Sequence, residues 1–192
     1  LVAQIAAVVL NYLTEGKQKR YIQGAFKQYL SGEVVDQLVN NPGSLKLGGE
    51  KRELTMFFSD LKGFSTFSEK LEPQALTALM NDVLSDACDI IMEGEGGTLD
   101  KFIGDAVVAF WNAPVSQADH AMRAVRSAIK IQRHLTARAD EFKEKAGGIP
   151  IIMRIGLNTG EVVVGNMGSR QRFNYTMLGD AANLASRLEG AN

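Results

Sequence analysis

The hydrophobic positions of this chain change period several times, and each change marks the edge of an element. Over residues 17–30 the apolar side chains Tyr21, Ile22, Ala25, Phe26, Tyr29 and Leu30 return at helical spacing, which predicts a connecting helix with one sticky face and a helical partner. Ser31-Gly32 breaks that helix, residues 33–39 read as a short second one, and Asn40-Asn41-Pro42-Gly43 is a strong turn, so the main unit begins near Leu45. The run ELTMFFS over residues 53–59 predicts a strand. Residues 72–92 predict a long helix whose Leu76, Leu79, Met80, Val83, Leu84, Ala87 and Ile91 form one buried stripe, ended by Glu95-Gly96-Gly97.

Residues 98–103 and 106–111 predict two short strands joined at Gly104-Asp105, residue types that tolerate the positive φ of a tight hairpin turn. Residues 119–145 predict a further helix, with Met122, Val125 and Ile129 inward and Arg123, Arg126, Lys130 and Arg133 outward as a solvated basic face. Strands follow over 151–157, 161–164 and 172–178, then a final helix over 180–189. The order βαββαβ with extra strands predicts an α+β fold, a ferredoxin-like or palm-like core with an antiparallel-containing sheet and helices packed on one face.

With 192 residues, 45% of them hydrophobic, the chain is sized for one main domain plus a leader. A net charge of −1 gives no concentrated basic face for a nucleic-acid duplex, so no nucleic-acid partner is expected and an anionic ligand must be held by local groups. Cys88 is the single cysteine, which excludes an intrachain disulfide and, with two distant histidines, a zinc cluster of familiar spacing. Asn174-Tyr175-Thr176 matches a glycosylation sequon but reads as an intracellular strand. The chain starts at leucine, and Leu1 to Leu10 is apolar except for Gln4, so it reads as a piece of something longer. Residues 1–16 fit equally the end of a membrane helix and an ordinary amphipathic helix; Lys17, Lys19 and Arg20 follow as basic residues do on the cytoplasmic side of a membrane. The expected organisation is therefore a leader over 1–16, a signalling helix and linker over 17–44, and a domain over 45–192 on the cytoplasmic side of an inner-membrane-anchored protein.

Two carboxylates stand out. Asp60 leaves the predicted strand of residues 53–59 and Asp105 sits at the predicted hairpin tip. Magnesium takes hard oxygen ligands and leaves waters or substrate phosphates in the rest of its shell, so two such carboxylates suffice for a metal site. Taken alone, Asp105 reads as a turn former. Gly63, Phe64 and Ser65 follow Asp60 at a helix start, where backbone N–H groups favour a phosphate. Arg172 offers charge to the same phosphates, though a plain surface arginine explains it as well. Gly160 and Gly165 have the spacing of a P-loop, but Asn166-Met167 stands where that loop needs Lys followed by Ser or Thr. On the final helix Asn183 and Arg187 lie four residues apart and share a face, with Leu184 and Leu188 turned toward the core.

Together the segments FFSDLKGFS (57–65), KFIGD (101–105) and YTMLGDAANLASRLE (175–189) resemble the catalytic domain of class III nucleotidyl cyclases, from about residue 45 to the end of the chain. The resemblance implies that Asp60, Asp105 and the Leu61 backbone carbonyl bind two Mg²⁺ or Mn²⁺ ions per site. It implies that Asn183 orients the ribose, that Arg187 binds the α-phosphate in the transition state, and that ATP is converted to 3′,5′-cyclic AMP and pyrophosphate. Lys101 occupies the family's base-selecting position; it offers only donors, which suits the acceptor N1 of adenine and not the N1–H of guanine. Thr176 accepts from the adenine N6 amine and places the chain with the threonine subgroup, class IIIb, several of whose members respond to bicarbonate.

The family's site lies between two domains, and because this chain carries all six of these side chains the resemblance implies a head-to-tail homodimer driven by an upstream sensor domain. Guanylyl cyclase and a non-catalytic nucleotide-binding partner are the alternatives. A diguanylate cyclase would carry a GG(D/E)EF hairpin, which is absent around Gly104. Departures from the family pattern at Leu61, Lys62 and Ala182 remove no functional group. The chain stops soon after Arg187, where the family domain continues with further strands and a triphosphate-contacting lysine, so incomplete folding or inactivity of this piece is the expectation.

Overall fold

A computed structural model describes residues 48–169 and 171–192. The chain divides into two compact units, Leu1–Ser44 and Leu45–Asn192, and the described residues belong to the second. The apolar leader and the helices predicted over 17–30 and 33–39 lie outside the described residues.

The elements run β1 (Gly48–Leu61), α1 (Phe64–Ser68), α2 (Pro73–Asp89) with a π-helical turn (Ile90–Gly94), β2 (Thr98–Ile103), β3 (Ala106–Trp111), α3 (His120–Ala137), α4 (Ala139–Lys145), β4 (Met153–Gly168), β5 (Phe173–Leu178) and α5 (Asp180–Gly190). Among the described residues the strands form one sheet in the order β2-β3-β1-β4-β5, with every neighbouring pair antiparallel. The first four strands and the crossovers α2 and α3 make the split βαβ arrangement that the element order predicts. β1 is central, paired with β3 on one side and along its whole length with β4 on the other.

Because successive strand residues face opposite sides, β1 feeds two cores. Phe57 and Leu61 pack with Leu79, Val83 and Ala87 of α2 and with Ala124, Ile131 and Leu135 of α3. Leu54 and Met56 pack on the other side with Val108, Phe110, Val162 and Val164 and with Ala182 and Ala185 of α5. Helices therefore cover both faces, not one as expected: α2 and α3 one side, α5 the other.

Several local expectations also change. The strands predicted over 151–157 and 161–164 are one continuous β4, because Asn158, Thr159 and Gly160 keep their register with β1. The helix predicted over 119–145 divides at Arg138 into α3 and α4. Met122, Val125 and Ile129 are exposed, while His120, Ala124, Ser127, Ile131 and Leu135 face inward. The basic residues beside them are not simply solvated. Arg126 and Lys130 converge on Glu95, at 2.9 and 2.7 Å, and Arg123 pairs with Asp119 at 2.6 Å.

On α5, Leu184 and Leu188 are likewise exposed, and Ala182 and Ala185 are buried. The reason lies in β4. A Cβ at Gly156 would stand 2.1 Å from the carbonyl oxygen of Ala185 and 2.3 Å from the amide nitrogen of Glu189, and one at Gly160 would stand 2.9 Å from the Cβ of Ala181. Glycines on the strand let the helix backbone settle on the sheet, and only small side chains fit beneath it. Asn158 Nδ2 ties the two elements by donating to the Ala181 carbonyl, 2.9 Å away.

Candidate active site

Asp60 is the penultimate residue of β1, cross-strand from Arg154. Asp105 sits in the β2–β3 turn, beside Gly104 with its φ of 64°, and is 9% exposed. Strand pairing brings these carboxyl groups side by side. The Leu61 N–H donates to Asp105 Oδ2 at 3.0 Å. Burial, and then the adjoining Asp60 carboxyl, push Asp105 up to about 6, against the lowering pull of that backbone bond. Two hard oxygen donors side by side, one of them raised by burial and by its neighbour, are chemistry suited to a divalent cation.

Two residues unnoticed in the sequence complete this rim. The guanidinium of Arg154 donates through Nη2 to Asp60 Oδ2, and its Nε lies 3.0 Å from Glu189 Oε1 on α5. The signal was available: Arg154 is a charge inside the otherwise apolar run Ile151 to Leu157. Burial raises the Glu189 carboxyl, with Arg154 pulling it down and Asp60 pushing it up.

Gly63, with φ 75° and ψ 23°, makes the turn out of β1, and Phe64 and Ser65 open α1. The Phe64 ring packs edge-on against buried Phe67, at 5.3 Å between centroids, which fixes the turn next to Asp60. Arg172 is exposed in the turn between β4 and β5, its backbone tied to Ser169, and no described contact joins it to the Gly63–Ser65 turn.

Lys101 and Thr176, from β2 and β5 at the two ends of the strand order, meet directly. Lys101 Nζ donates to Thr176 Oγ1 at 3.2 Å. A third group, Asp100, joins them: the Thr176 hydroxyl donates to Asp100 Oδ2 at 2.6 Å, and Asp100 Oδ1 lies 3.3 Å from Lys101 Nζ. Burial raises the Asp100 carboxyl, while the Thr176 hydroxyl and the Lys101 ammonium draw it down. Beside this trio opens a cleft of about 140 Å³, lined by Phe58, Asp100, Lys101, Leu178, Gly179 and Asn183 among others. Asn183 and Arg187 are both exposed on α5.

The arrangement thus offers an acidic pair at the end of β1, a polar trio at one side of a cleft, and an amide and a guanidinium on a neighbouring helix. Known proteins share this sequence and fold. Residues 49–192 match the family model described as the adenylate and guanylate cyclase catalytic domain. Adenylate cyclase 1 of Rhizobium meliloti (strain 1021) is 38% identical over 168 residues, which is 87% of this chain and 25% of that protein. The crystal structure of the adenylyl cyclase CyaB from P. aeruginosa is similar with a TM-score of 0.70 and 42% identity, over 76% of this chain and 74% of that one. That of the guanylyl cyclase Cya2 is similar with a TM-score of 0.70 and 39% identity, over 76% and 73%. The chain spans a third or less of the length of the curated cyclases it matches. Sheet order, motifs and sequence similarity lead to one assignment: this chain belongs to the class III adenylate and guanylate cyclase catalytic domain family.

Proposed function

We propose that the domain is an adenylyl cyclase, forming 3′,5′-cyclic AMP and pyrophosphate from ATP by in-line attack of the ribose 3′-hydroxyl on the α-phosphate. Membership of a family that includes both adenylyl and guanylyl cyclases leaves the base to be decided, and the observation that carries adenine is the contact between Lys101 Nζ and Thr176 Oγ1 beside the cleft.

In this reading Lys101 donates to adenine N1 and Thr176 accepts from the N6 amine. Asn183 orients the ribose, and Arg187 places positive charge at the α-phosphate as it becomes five-coordinate, when preorganised charge is worth most. Backbone N–H groups of Gly63, Phe64 and Ser65 hold the triphosphate, with Arg172 as a further cation. Asp60, Asp105 and the Leu61 carbonyl are the groups that would hold Mg²⁺ or Mn²⁺, two per site. Bound there, the ions supply neutralisation of the triphosphate and a lowered pKa for the attacking hydroxyl.

The domain works as a head-to-tail homodimer, one protomer giving the acidic pair and the other the base and ribose residues. Support comes from apolar side chains exposed near these groups, Phe102, Ile103, Leu178, Leu184 and Leu188. Among the described residues no helix is long and apolar enough to cross a membrane. The domain is the cytoplasmic output of an upstream sensor in an inner-membrane-anchored protein, and bicarbonate is a candidate activator. Unchanged turnover on adding bicarbonate at fixed pH would remove that last element.

The deciding experiment is product analysis after incubation of the full-length protein with ATP or GTP and Mn²⁺. Cyclic AMP from ATP, with GTP turned over at least tenfold less well, is the expected result. Preferential formation of cyclic GTP-derived product overturns the adenine reading, and nucleotide binding without product favours a regulatory partner.

A further inference from the structure

Asp100 and Lys101 are neighbours in β2, and neighbouring strand residues ordinarily face opposite sides of a sheet. Here they do not. The register of β2 against β3 shifts between Leu99, opposite Ala109, and Lys101, opposite Val108, so Asp100 is the extra residue of a β-bulge. Leu99 packs with the α2–α3 core, and Val108 belongs to the α5 side. The bulge therefore turns both Asp100 and Lys101 toward the cleft beside α5.

We infer that Asp100 is a specificity-determining residue, fixing the Thr176 hydroxyl and the Lys101 ammonium so that the site displays one acceptor and one donor to the base. The inference rests on the nucleotide reading above and names how its base is chosen. An ionised carboxylate can only accept, so the single Thr176 proton is committed to Asp100 Oδ2, at 2.6 Å. An ammonium can only donate, so one Thr176 lone pair takes Lys101, at 3.2 Å. One lone pair of Thr176 is left for a ligand. Of the three Lys101 protons, one is directed at Thr176, while Asp100 Oδ1, 3.3 Å away and without a hydrogen bond, holds the ammonium by charge, so a donor remains for the ligand. Adenine presents a donor at N6 and an acceptor at N1, the complement of this display. Guanine presents an acceptor at O6 and a donor at N1, its inverse.

Lys101 alone cannot make this choice, since a lysine proton serves adenine N1 and guanine O6 equally. Thr176 alone cannot either, because a free hydroxyl rotates to donate or accept. With its side chain 2% exposed, Asp100 is screened from water that would otherwise compete for the hydroxyl. It acts through Thr176 and Lys101, which makes it a positioning residue.

The test is the ratio of dissociation constants for 3′-deoxy-ATP and 3′-deoxy-GTP, neither of which can cyclise, together with kcat/KM for ATP and GTP, on the full-length protein with Mn²⁺. Asp100→Asn places an amide N–H against Thr176 and turns the hydroxyl proton outward; the adenine preference is expected to fall at least tenfold in both ratios, chiefly through KM, with the Mn²⁺ activation constant unchanged. Thr176→Val guards against a misfolded Asp100 variant and is expected to lose the same preference, whereas Thr176→Ser keeps it. Preference retained within twofold in Asp100→Asn, or in Thr176→Val, overturns the inference. So does a parental protein with no adenine preference. A parental protein that prefers 3′-deoxy-ATP but makes no cyclic AMP overturns the cyclase reading, and loss of that preference in Asp100→Asn still supports the inference.

Discussion

Two acidic places in this domain, Glu95 beside α3 and the Asp60–Asp105 pair at the end of β1, meet opposite electrostatic surroundings. Glu95 is 5% exposed and receives Arg126 and Lys130 on its two oxygens. Burial alone would raise its pKa, but the hydrogen bonds from Lys130 and Arg126 outweigh that and hold it below the ordinary carboxylate range. Burial, and then a second carboxyl sharing its space, drive Asp105 the other way, to about 6. One place is compensated within the chain. The other keeps an excess of negative charge, partly met by Arg154 on Asp60, of the kind an active site reserves for a cation.

The strongest challenge to that contrast is substitution. Asp60→Asn or Asp105→Asn should lower Mn²⁺-supported cyclic AMP formation at least a thousandfold, whereas Glu95→Gln should leave kcat/KM within about threefold, since only the first pair is asked to neutralise a triphosphate. Equal losses in both would erase the distinction. Mixing Asp60→Ala with Asn183→Ala chains should next restore about a quarter of parental activity, because half the dimers are mixed and each of those keeps one complete site. Parental activity with no recovery on mixing breaks the shared-site geometry.

The pH dependence is a smaller effect with a definite sign. A cation must displace a proton from Asp105 once the pH falls below about 6, so Mn²⁺ affinity in equilibrium titration should drop by roughly tenfold per unit there. Without metal the trend in stability is reversed. Asp105 is raised in the folded protein, so its stabilising contribution is full below the unfolded carboxyl value, near 3.9, and is lost as pH rises through about 6. Metal-free protein should gain thermal stability as pH falls from 7 toward 5, and Asp105→Asn should flatten that slope. Smallest of all, Glu95→Gln should lower Tm by a few degrees near neutrality, because it removes the charge that Arg126 and Lys130 face. A Tm that rises in Glu95→Gln would contradict the compensated reading.

Much of the frame is legible in the sequence. β2 and β3 fall at the residues the apolar runs predict, since a Gly-Asp turn between two such runs has few alternatives. The nearness of Asp60 and Asp105 follows from a strand exit and a hairpin turn, whereas Lys101 and Thr176, inside β2 and β5, are marked by the family resemblance alone. The illegible part has a common cause. Periodicity weighs large apolar side chains and so points Met122, Val125 and Ile129, and likewise Leu184 and Leu188, inward, yet all five are exposed. Where two backbones approach closely the small residues face inward, as Ala124 and Ser127 do on α3 and Ala182 and Ala185 do on α5. Lone glycines inside β4 were the available sign of that closeness. Asp100 escaped notice because alternation puts it opposite Lys101, and a bulge leaves no trace in a hydrophobic pattern.

Gly156 carries a further lesson. The carbonyl of Ala185 and the amide of Glu189 crowd the space its Cβ would fill, so at this point α5 rests on main chain, while Ala182 and Ala185 also meet the side chains of the core beneath. The height of Asn183 and Arg187 above the sheet is then set by peptide geometry, which mutation elsewhere cannot resize. At Gly156 itself no side chain can act as a spacer, so the approach of that end of the helix to the sheet is held where the backbones touch.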